Sequence, residues 1–189
     1  MTASRRAPRR GTTAARRASP RVGVHAPGQA APRPVGVAII TVSDTRRGAD
    51  DTSGATAERL CLHAGCVVPR RAWVRDDVAA IRRAVRAALA RADVDAVVLT
   101  GGTGVAPRDV TPEAVEGLLE RPLPGFGERF RALSWDTVGT AAWLSRAGAG
   151  VARGRLVVYL PGSVGAVKQA LEQLLIPELV HVVRLLGRF

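Results

Sequence analysis

The stretch VVLTGGTGVAPRDVTPEA, residues 97–114, places three glycines and two threonines directly after a run of aliphatic residues. Glycine at positions 101, 102 and 104 lets backbone N–H groups approach an anion closely, and the hydroxyls of Thr100 and Thr103 add hydrogen-bond donors. The alternative is a tight turn that needs only positive φ angles, which one or two glycines would satisfy. The spacing matches neither GxxxxGK[ST] nor GxGxxG. These residues favour a loop that binds phosphate or a polar heterocycle.

Carboxylates near this loop suggest metal chemistry. Asp109 is either a turn residue beside Arg108 or a ligand for Mg²⁺, because hard cations prefer oxygen ligands and bridge to substrate phosphates. Asp76 and Asp77 present a similar choice: one caps the helix that follows, and the other is free to face the site. The sequence alone leaves both alternatives open.

Short aliphatic runs predict the strands that deliver these residues. Continuous apolar runs are typical of strands covered on both faces, and they occur at residues 35–42 (VGVAIITV), 95–100 (DAVVLT) and 155–160 (RLVVYL). Residues 66–68 and 72–74 predict a second, weaker strand.

Helical signals separate the strands. Thr52 or Ser53 is the expected N-cap of a first helix that ends at Gly65. A second helix carries its apolar residues on one face, namely Val78, Ile81, Val85 and Leu89. Thr111 and Pro112 begin a third helix. Residues 126–133 and 164–186 are also predicted to be helical, the latter with one break at Pro177.

This alternation predicts an α/β fold with three layers, αβα, around a mostly parallel central sheet. Ligands in open α/β sheets bind beyond the carboxyl ends of the strands. Three of the predicted strand ends carry polar or glycine-rich loops, at residues 43–44, 100–109 and 161–163. We therefore expect the functional site at that edge.

The positive charge is concentrated at the N-terminus. The 189 residues have a formal net charge of +12, yet residues 1–34 contain eight arginines and no acidic residue, which leaves +4 for residues 35–189. An Arg/Pro/Ala-rich segment of this kind cannot bury enough apolar surface to fold, so residues 1–34 are predicted to be a disordered tail and residues 35–189 one globular domain. No aromatic residue interleaves the arginines, which makes nucleic-acid binding the less favoured interpretation.

Other sequence signals point to a cytoplasmic protein. There is no apolar run of secretory type and no stretch of about 18 apolar residues that would cross a membrane. The two cysteines, Cys61 and Cys66, have neither CxxC spacing nor a second pair, and we expect both to be small core residues.

Five ordered motifs resemble one known family. They are TGGTG, RDVTPEA, PGFGE with FRALS, LSRAGAG and LPGS, and they are similar to motifs of the molybdopterin adenylyltransferase family, whose members include MogA, MoaB and the gephyrin N-terminal domain. The resemblance covers the chain from about Val35 to its C-terminus. The segments VGTAAWLSRAGAGVARG and LPGSVGAVKQALEQLLIPEL are nearer to MoaB. The resemblance implies the MogA/MoaB-like molybdopterin-binding fold.

The resemblance also implies a reaction in molybdenum cofactor biosynthesis. The terminal phosphate of molybdopterin attacks the α-phosphorus of Mg-ATP, pyrophosphate leaves, and adenylyl-molybdopterin passes to a MoeA-type molybdenum insertase. Positioning and charge neutralisation matter more in such a reaction than a covalent protein nucleophile. Members of the family form trimers, sometimes paired into hexamers, so a homo-oligomer is expected.

The family's two functional aspartates match Asp76 and Asp109, which would be the catalytic residues and hold Mg²⁺. Arg75 stands where proline is frequent in the family. Substrate-binding positions carried over by the resemblance are Ser43, Asp44, Thr100, Gly101, Gly102, Thr103, Gly104, Ser134, Ser145, Arg146, Gly162 and Ser163. For Ser145 and Arg146 a structural role is the alternative.

Two other functions are compatible with the sequence. A MoaB-type accessory protein would bind molybdopterin without catalysing adenylylation. A nucleic-acid-binding protein would use its arginine-rich tail, and its binding would be strongly salt-dependent.

Overall fold

A computed structural model describes residues 33–189, which form a six-stranded sheet with helices on both faces. The strands are β1 (Gly36–Val42), β2 (Val67–Val74), β3 (Ala96–Thr100), β4 (Arg121–Pro122), β5 (Gly148–Ala152) and β6 (Arg155–Leu160). The helices are α1 (Thr52–His63), α2 (Val78–Leu89), α3 (Thr111–Glu116), α4 (Pro124–Val138), α5 (Val164–Ala170) and α6 (Ile176–Leu185). Residues Gly48–Asp50 and Gly139–Leu144 are 3₁₀-helical, and Leu171–Leu175 form a π-helical turn.

The strand order is β2-β1-β3-β6-β5-β4. The first four strands in this order are parallel, and β5 and β4 add an antiparallel edge. The predicted three-layer α/β fold with a mostly parallel sheet is confirmed. The carboxyl ends of β1, β3 and β6 meet side by side, as the register pairs Thr41 with Thr100 and Thr100 with Leu160.

The aliphatic runs form strands because both faces of the sheet are covered. Every residue of β1 and β3 is buried. Alternate side chains enter two separate apolar clusters: Ile39 and Val98 pack with α1, α5 and α6, whereas Ile40 and Leu99 pack with α2 and α3. Burial on both faces favours continuous apolar runs over an alternating pattern.

The second, weaker strand predicted from residues 66–68 and 72–74 is present as one continuous strand, β2. It lies at the sheet edge, and its register with β1 shifts between the pairs Gly36–Val67 and Ala38–Arg70, so that Pro69 falls at an irregularity of the ladder. Its apolar signal is weak because its residues are half-buried or exposed and include Arg70 and Arg71.

The first helix is capped by Asp51, so the predicted N-cap of Thr52 or Ser53 is wrong by one or two positions. The Asp51 carboxylate accepts a hydrogen bond from the Gly54 N–H at 2.8 Å and a second from Thr41 Oγ1 at 2.7 Å. Thr52 is instead the first helical residue. A carboxylate that can accept several bonds competes well with a hydroxyl for the cap position.

The antiparallel edge was not predicted. Strand β5 has the sequence GAGVA, whose small residues give no aliphatic signal, and β4 has only two residues. Gly148 is required in β5 because a Cβ there would come within 2.3 Å of the Tyr159 hydroxyl oxygen on the neighbouring strand. Tertiary packing therefore defines this strand.

The predicted break at Pro177 takes a different form. The chain stays helical through Pro177, which lies in the first turn of α6, and the irregularity is the π-helical turn Leu171–Leu175 just before it. Proline has no N–H to donate to the preceding turn, and the wider turn accommodates its ring.

Asp95 ties both ends of the domain to the start of β3. Its fully buried carboxylate pairs with Arg33 at 2.7 Å and Arg188 at 3.0 Å, and it accepts the Gly36 N–H at 2.9 Å. Arg33 was predicted to belong to the tail, but its ion pair with Asp95 holds it against the domain. The rest of the predicted tail up to residue 32 lies outside the described residues.

Both cysteines are buried, as expected of core residues, and burial raises the pKa of the Cys61 thiol to about 12. Within residues 33–189, no helix is both long and apolar enough to cross a membrane.

Candidate active site

Three strand-end loops surround a cleft of about 350 Å³ at the predicted edge of the sheet. The loops follow β1, β3 and β6, and Asp76 approaches from the turn between β2 and α2. This cleft contains nine of the residues carried over by the resemblance: Ser43, Asp44, Asp76, Thr100, Gly101, Gly102, Asp109, Gly162 and Ser163.

The glycines are needed both for their backbone conformation and for the space they leave. Gly101 and Gly102 have φ angles of +110° and +63°, and a Cβ at Gly101 would come within 2.0 Å of the Val42 carbonyl oxygen. In the described part of the chain, the N–H groups of Gly102 and Thr103 donate to no protein acceptor. The glycine loop is therefore a tight turn with positive φ angles, and it also has backbone N–H groups that are available to an anion.

Of the adjacent aspartates, Asp76 faces the cleft and Asp77 caps helix α2. The Asp77 carboxylate accepts the Ala80 N–H at 2.7 Å, which resolves the choice that the sequence left open. Burial, reinforced by the nearby charges of Asp44 and Asp109, raises the pKa of the Asp76 carboxyl, and Arg108 opposes this shift. Negative charge is thus concentrated in the cleft without full compensation.

Asp109 faces the cleft and also supports its own turn. Its Oδ2 accepts the Ala106 N–H at 3.0 Å, and its backbone N–H donates to the Ala106 carbonyl at 2.8 Å. A Cβ at Gly104 would come within 2.7 Å of Oδ2. Both sequence interpretations of Asp109 are therefore compatible with this arrangement.

The carboxylates of the cleft are oxygen ligands of the kind that Mg²⁺ uses together with substrate phosphates. Among residues 33–189, no three His, Cys, Asp or Glu side chains are arranged as a metal site made by protein alone. Mg²⁺ commonly uses only one or two carboxylates together with substrate phosphates and water. The crowded charge at Asp76 provides an anionic environment that a divalent cation would relieve.

Two arginines partly offset the charge of the acidic residues in the cleft, and neither was predicted as a site residue. Arg46 donates from Nη1 to the Gly162 carbonyl at 2.9 Å, which links the loop after β1 to the loop after β6. Arg108 also lines the cleft and lies near Asp76. Their position in strand-end loops was the available signal, because such loops meet at one edge.

A larger groove of about 770 Å³ lies between α4 and α5 and adjoins the cleft. The predicted residues Thr103, Gly104, Ser134 and Ser145 line it, and Ser163 lines both spaces. Phe130, Leu133 and Ala142 are among its apolar residues. The structure thus divides the predicted site residues between two adjoining spaces.

The hydroxyls of this groove differ in their availability. Ser134 donates to the Phe130 carbonyl at 2.8 Å, and the Ser145 oxygen accepts the Ala147 N–H at 3.3 Å. Ser163 caps α5 by accepting the Ala166 N–H at 3.2 Å. The Thr103 hydroxyl is buried and has no hydrogen-bond partner in the described part of the chain. Of these four, Thr103 has the hydroxyl most in need of a ligand partner.

Arg146 lies beside the glycine loop and outside both spaces. Its Nε donates to the Gly104 carbonyl at 2.8 Å, its Nη2 to the Asp109 carbonyl, and its Nη1 pairs with Glu113. Each guanidinium nitrogen is therefore engaged with the protein itself.

Comparisons with known proteins identify the family of this chain. A family model described as a probable molybdopterin binding domain matches residues 38–181. The molybdenum cofactor biosynthesis protein B of Halalkalibacterium halodurans is 48% identical over 155 residues, which cover 82% of this chain and 91% of that protein.

Solved structures give the same result. A crystal structure of a molybdenum cofactor biosynthesis protein B has a TM-score of 0.81 and 43% identity, covering 85% of this chain and 100% of the other. The molybdopterin biosynthesis enzyme MoaB from Thermus thermophilus has a TM-score of 0.72 and 34% identity, covering 80% and 96%. The resemblance predicted from the five motifs is confirmed: the chain belongs to the MogA/MoaB family of molybdopterin-binding domains and is nearer to its MoaB members.

Proposed function

We propose that this protein acts in molybdenum cofactor biosynthesis by adenylylating molybdopterin with Mg-ATP. The observation that carries the proposal is the approach of Asp76 and Asp109 to one glycine loop, in a cleft that also contains Arg46 and Arg108. The relatives are a molybdenum cofactor biosynthesis protein B and the molybdopterin biosynthesis enzyme MoaB, and their names support a role in this pathway.

The proposed reaction is a nucleotidyl transfer. A phosphate oxygen of molybdopterin attacks the α-phosphorus of ATP, a new P–O bond forms, and the bond between the α-phosphorus and the bridging oxygen breaks. Adenylyl-molybdopterin and pyrophosphate are the products. The N–H groups of Gly102 and Thr103 hold phosphate oxygens, and Arg46 and Arg108 neutralise the charge that develops on the leaving pyrophosphate.

Asp76 and Asp109 are the residues that would hold the magnesium ion. When bound, Mg²⁺ supplies charge neutralisation and orients the phosphates. Burial and nearby negative charge disfavour the ionised form of the Asp76 carboxyl in the free protein. A bound cation would favour the ionised form. The groove between α4 and α5 binds one of the two ring systems of the substrates, either the pterin of molybdopterin or the adenine of ATP. The buried hydroxyl of Thr103 lines this groove.

The proposed partners are further copies of this chain and a MoeA-type insertase that receives the product. Three large apolar side chains on α4 and the following 3₁₀ turn support self-association, because their exposure is unusual for a monomer: Trp135 at 53%, Val138 at 57% and Trp143 at 68%. Light scattering of the purified protein measures the proposed trimer or hexamer directly.

Pyrophosphate release tests the reaction. Purified protein receives molybdopterin, ATP and Mg²⁺, and Asp109→Asn is assayed in parallel. We expect release by the wild type, and a loss of turnover in Asp109→Asn that exceeds its loss of molybdopterin affinity.

Two results would contradict this proposal. Tight molybdopterin binding without release by the wild type would identify a non-catalytic MoaB-type accessory protein. Equal losses of turnover and affinity in Asp109→Asn would give Asp109 a binding or folding role instead of a catalytic one.

A further inference from the structure

Arg146 connects the two ends of the exposed loop segment that carries Asp109. Within residues 33–189, the hydrogen bonds that reach residues 104–109 from outside this segment all come from the Arg146 guanidinium. One bond goes to the Gly104 carbonyl at 2.8 Å and the other to the Asp109 carbonyl. The remaining hydrogen bonds of the segment join Ala106 to Asp109. The position of the segment thus depends on one side chain.

Arg146 is itself fixed at two further points. Its backbone N–H donates to the Thr103 carbonyl at 2.9 Å, and its third guanidinium nitrogen pairs with Glu113 in the first turn of α3. Hydrogen bonding to Arg146 holds the pKa of the Glu113 carboxyl below its usual range. The planar fork of an arginine can span several acceptors at once, whereas the ammonium of a lysine acts as a point charge.

The segment has little other support. Residues 104–108 are half-buried or exposed, and Val105 is 65% exposed. Short exposed segments with few buried contacts open readily. Without Arg146, the carbonyls of Gly104 and Asp109 would bond to water, and the Asp109 carboxylate would sample several positions.

We infer that Arg146 is a positioning residue: it holds the Asp109 carboxylate in the cleft and does not itself contact substrate. This inference rests on the proposed adenylyl transfer. Of the two roles that the sequence left open for Arg146, substrate binding or structural support, it favours structural support. A displacement of about 1 Å of a reacting group can lower turnover on the order of 100-fold.

The test compares Arg146→Gln, Arg146→Lys and Glu113→Gln with the wild type. We expect Arg146→Gln to lower kcat about 10- to 100-fold, with KM for ATP and the Kd for molybdopterin changed less than about threefold. Arg146→Lys should recover part of kcat because it keeps the charge but cannot span both carbonyls. Glu113→Gln should show a smaller loss in kcat.

Hydrogen exchange supplies a readout that does not depend on activity. The amide hydrogens of Ala106 and Asp109, which are hydrogen-bonded within the segment, should exchange at least tenfold faster in Arg146→Gln than in the wild type. Arg155→Gln is the matched control, since Arg155 also donates to backbone carbonyls, those of Val94 and Arg91, but at the opposite end of the sheet. Exchange in the loop of this control should match the wild type.

The outcomes separate the two proposals. If the wild type releases no pyrophosphate, the proposed function fails, and faster exchange confined to residues 105–109 still supports the positioning role. A rise in KM or Kd with kcat unchanged would make Arg146 a substrate contact and overturn the inference. Unchanged loop exchange in Arg146→Gln would overturn it as well.

Discussion

Asp76 Oδ1 lies directly against the backbone of Gly102: a Cβ on residue 102 would come within 2.6 Å of this oxygen and within 2.5 Å of Thr111 Oγ1. The glycine at position 102 therefore does more than allow a positive φ angle. It provides the space in which the carboxylate of Asp76 reaches the loop.

Gly102→Ala should displace Asp76 and strain the loop. We expect at least a tenfold loss of kcat, and a loss of about 1–3 kcal/mol in the free energy of unfolding, because an L-residue at φ +63° is unfavourable and the new methyl clashes. Pyrophosphate release and chemical denaturation measure the two effects. Gly125→Ala is the control, since a Cβ at Gly125 meets no atom within 4 Å. Equal activity in the two variants would contradict this role for Gly102.

Asp76→Asn should remove activity and yet stabilise the free protein at neutral pH. Burial and the charges of Asp44 and Asp109 raise the pKa of Asp76, so folding favours its protonated form. This contribution to stability is present below the unfolded pKa of about 3.9 and is lost as the pH rises through the folded value. The gain in the variant should therefore appear on going from acid to neutral pH and stay below about 1 kcal/mol, because solvent screens the site.

Thermal unfolding at a series of pH values measures this difference. Asp50→Asn, at an exposed position of the 3₁₀ turn, is the control and should show little change. A destabilised Asp76→Asn protein at pH 7 would mean that the Asp76 carboxylate is favourably paired in the free protein.

Asp95→Asn should lower the free energy of unfolding by about 2 kcal/mol at pH 7, because the variant weakens hydrogen bonds that the buried Asp95 carboxylate accepts from the charged, partly exposed Arg33 and Arg188. Burial opposes ionisation, yet the hydrogen bonds from Arg33, Gly36 and Arg188 together hold the pKa of Asp95 below its usual range. The stabilisation is therefore complete above the unfolded pKa of about 3.9 and disappears as the pH falls through the lower folded value.

Denaturant titrations at pH 7 and in the acid range test this pH dependence. Asp93→Asn is a close control, because Asp93 pairs with Arg91 on the exposed surface and should contribute little. A constant difference between Asp95→Asn and the wild type down to pH 2 would argue against an ionised Asp95.

Removal of residues 1–32 should leave pyrophosphate release unchanged, because the cleft is built by residues 41–163. Removal of residues 1–34 should also leave turnover unchanged but lower the Tm, since it deletes Arg33, one of the two arginine partners of Asp95. If the full chain instead binds nucleic acid with a steep dependence on salt and the truncated chains do not, the tail has a separate binding function.

The sequence by itself determined the α/β class and predicted the sheet edge at which the candidate cleft is found. Continuous apolar runs, helix-start residues and glycine-rich strand ends are local signals, and each follows from burial or backbone geometry at its own position. The five ordered motifs from TGGTG to LPGS predicted the family, which the comparisons confirm. Strand β5 was missed because a run of small residues carries no such local signal.

Only the tertiary structure decided how the polar residues divide their tasks. Asp76 and Asp77 are adjacent and chemically identical, and the start of α2 assigns the cap to Asp77. Arg146 is far in sequence from Asp109, and the docking of the segment after the 3₁₀ turn brings them together. Charge, hydrogen bonding and burial at the cleft arise between residues distant in the chain, so they exist only after the sheet has brought its strand ends to one edge.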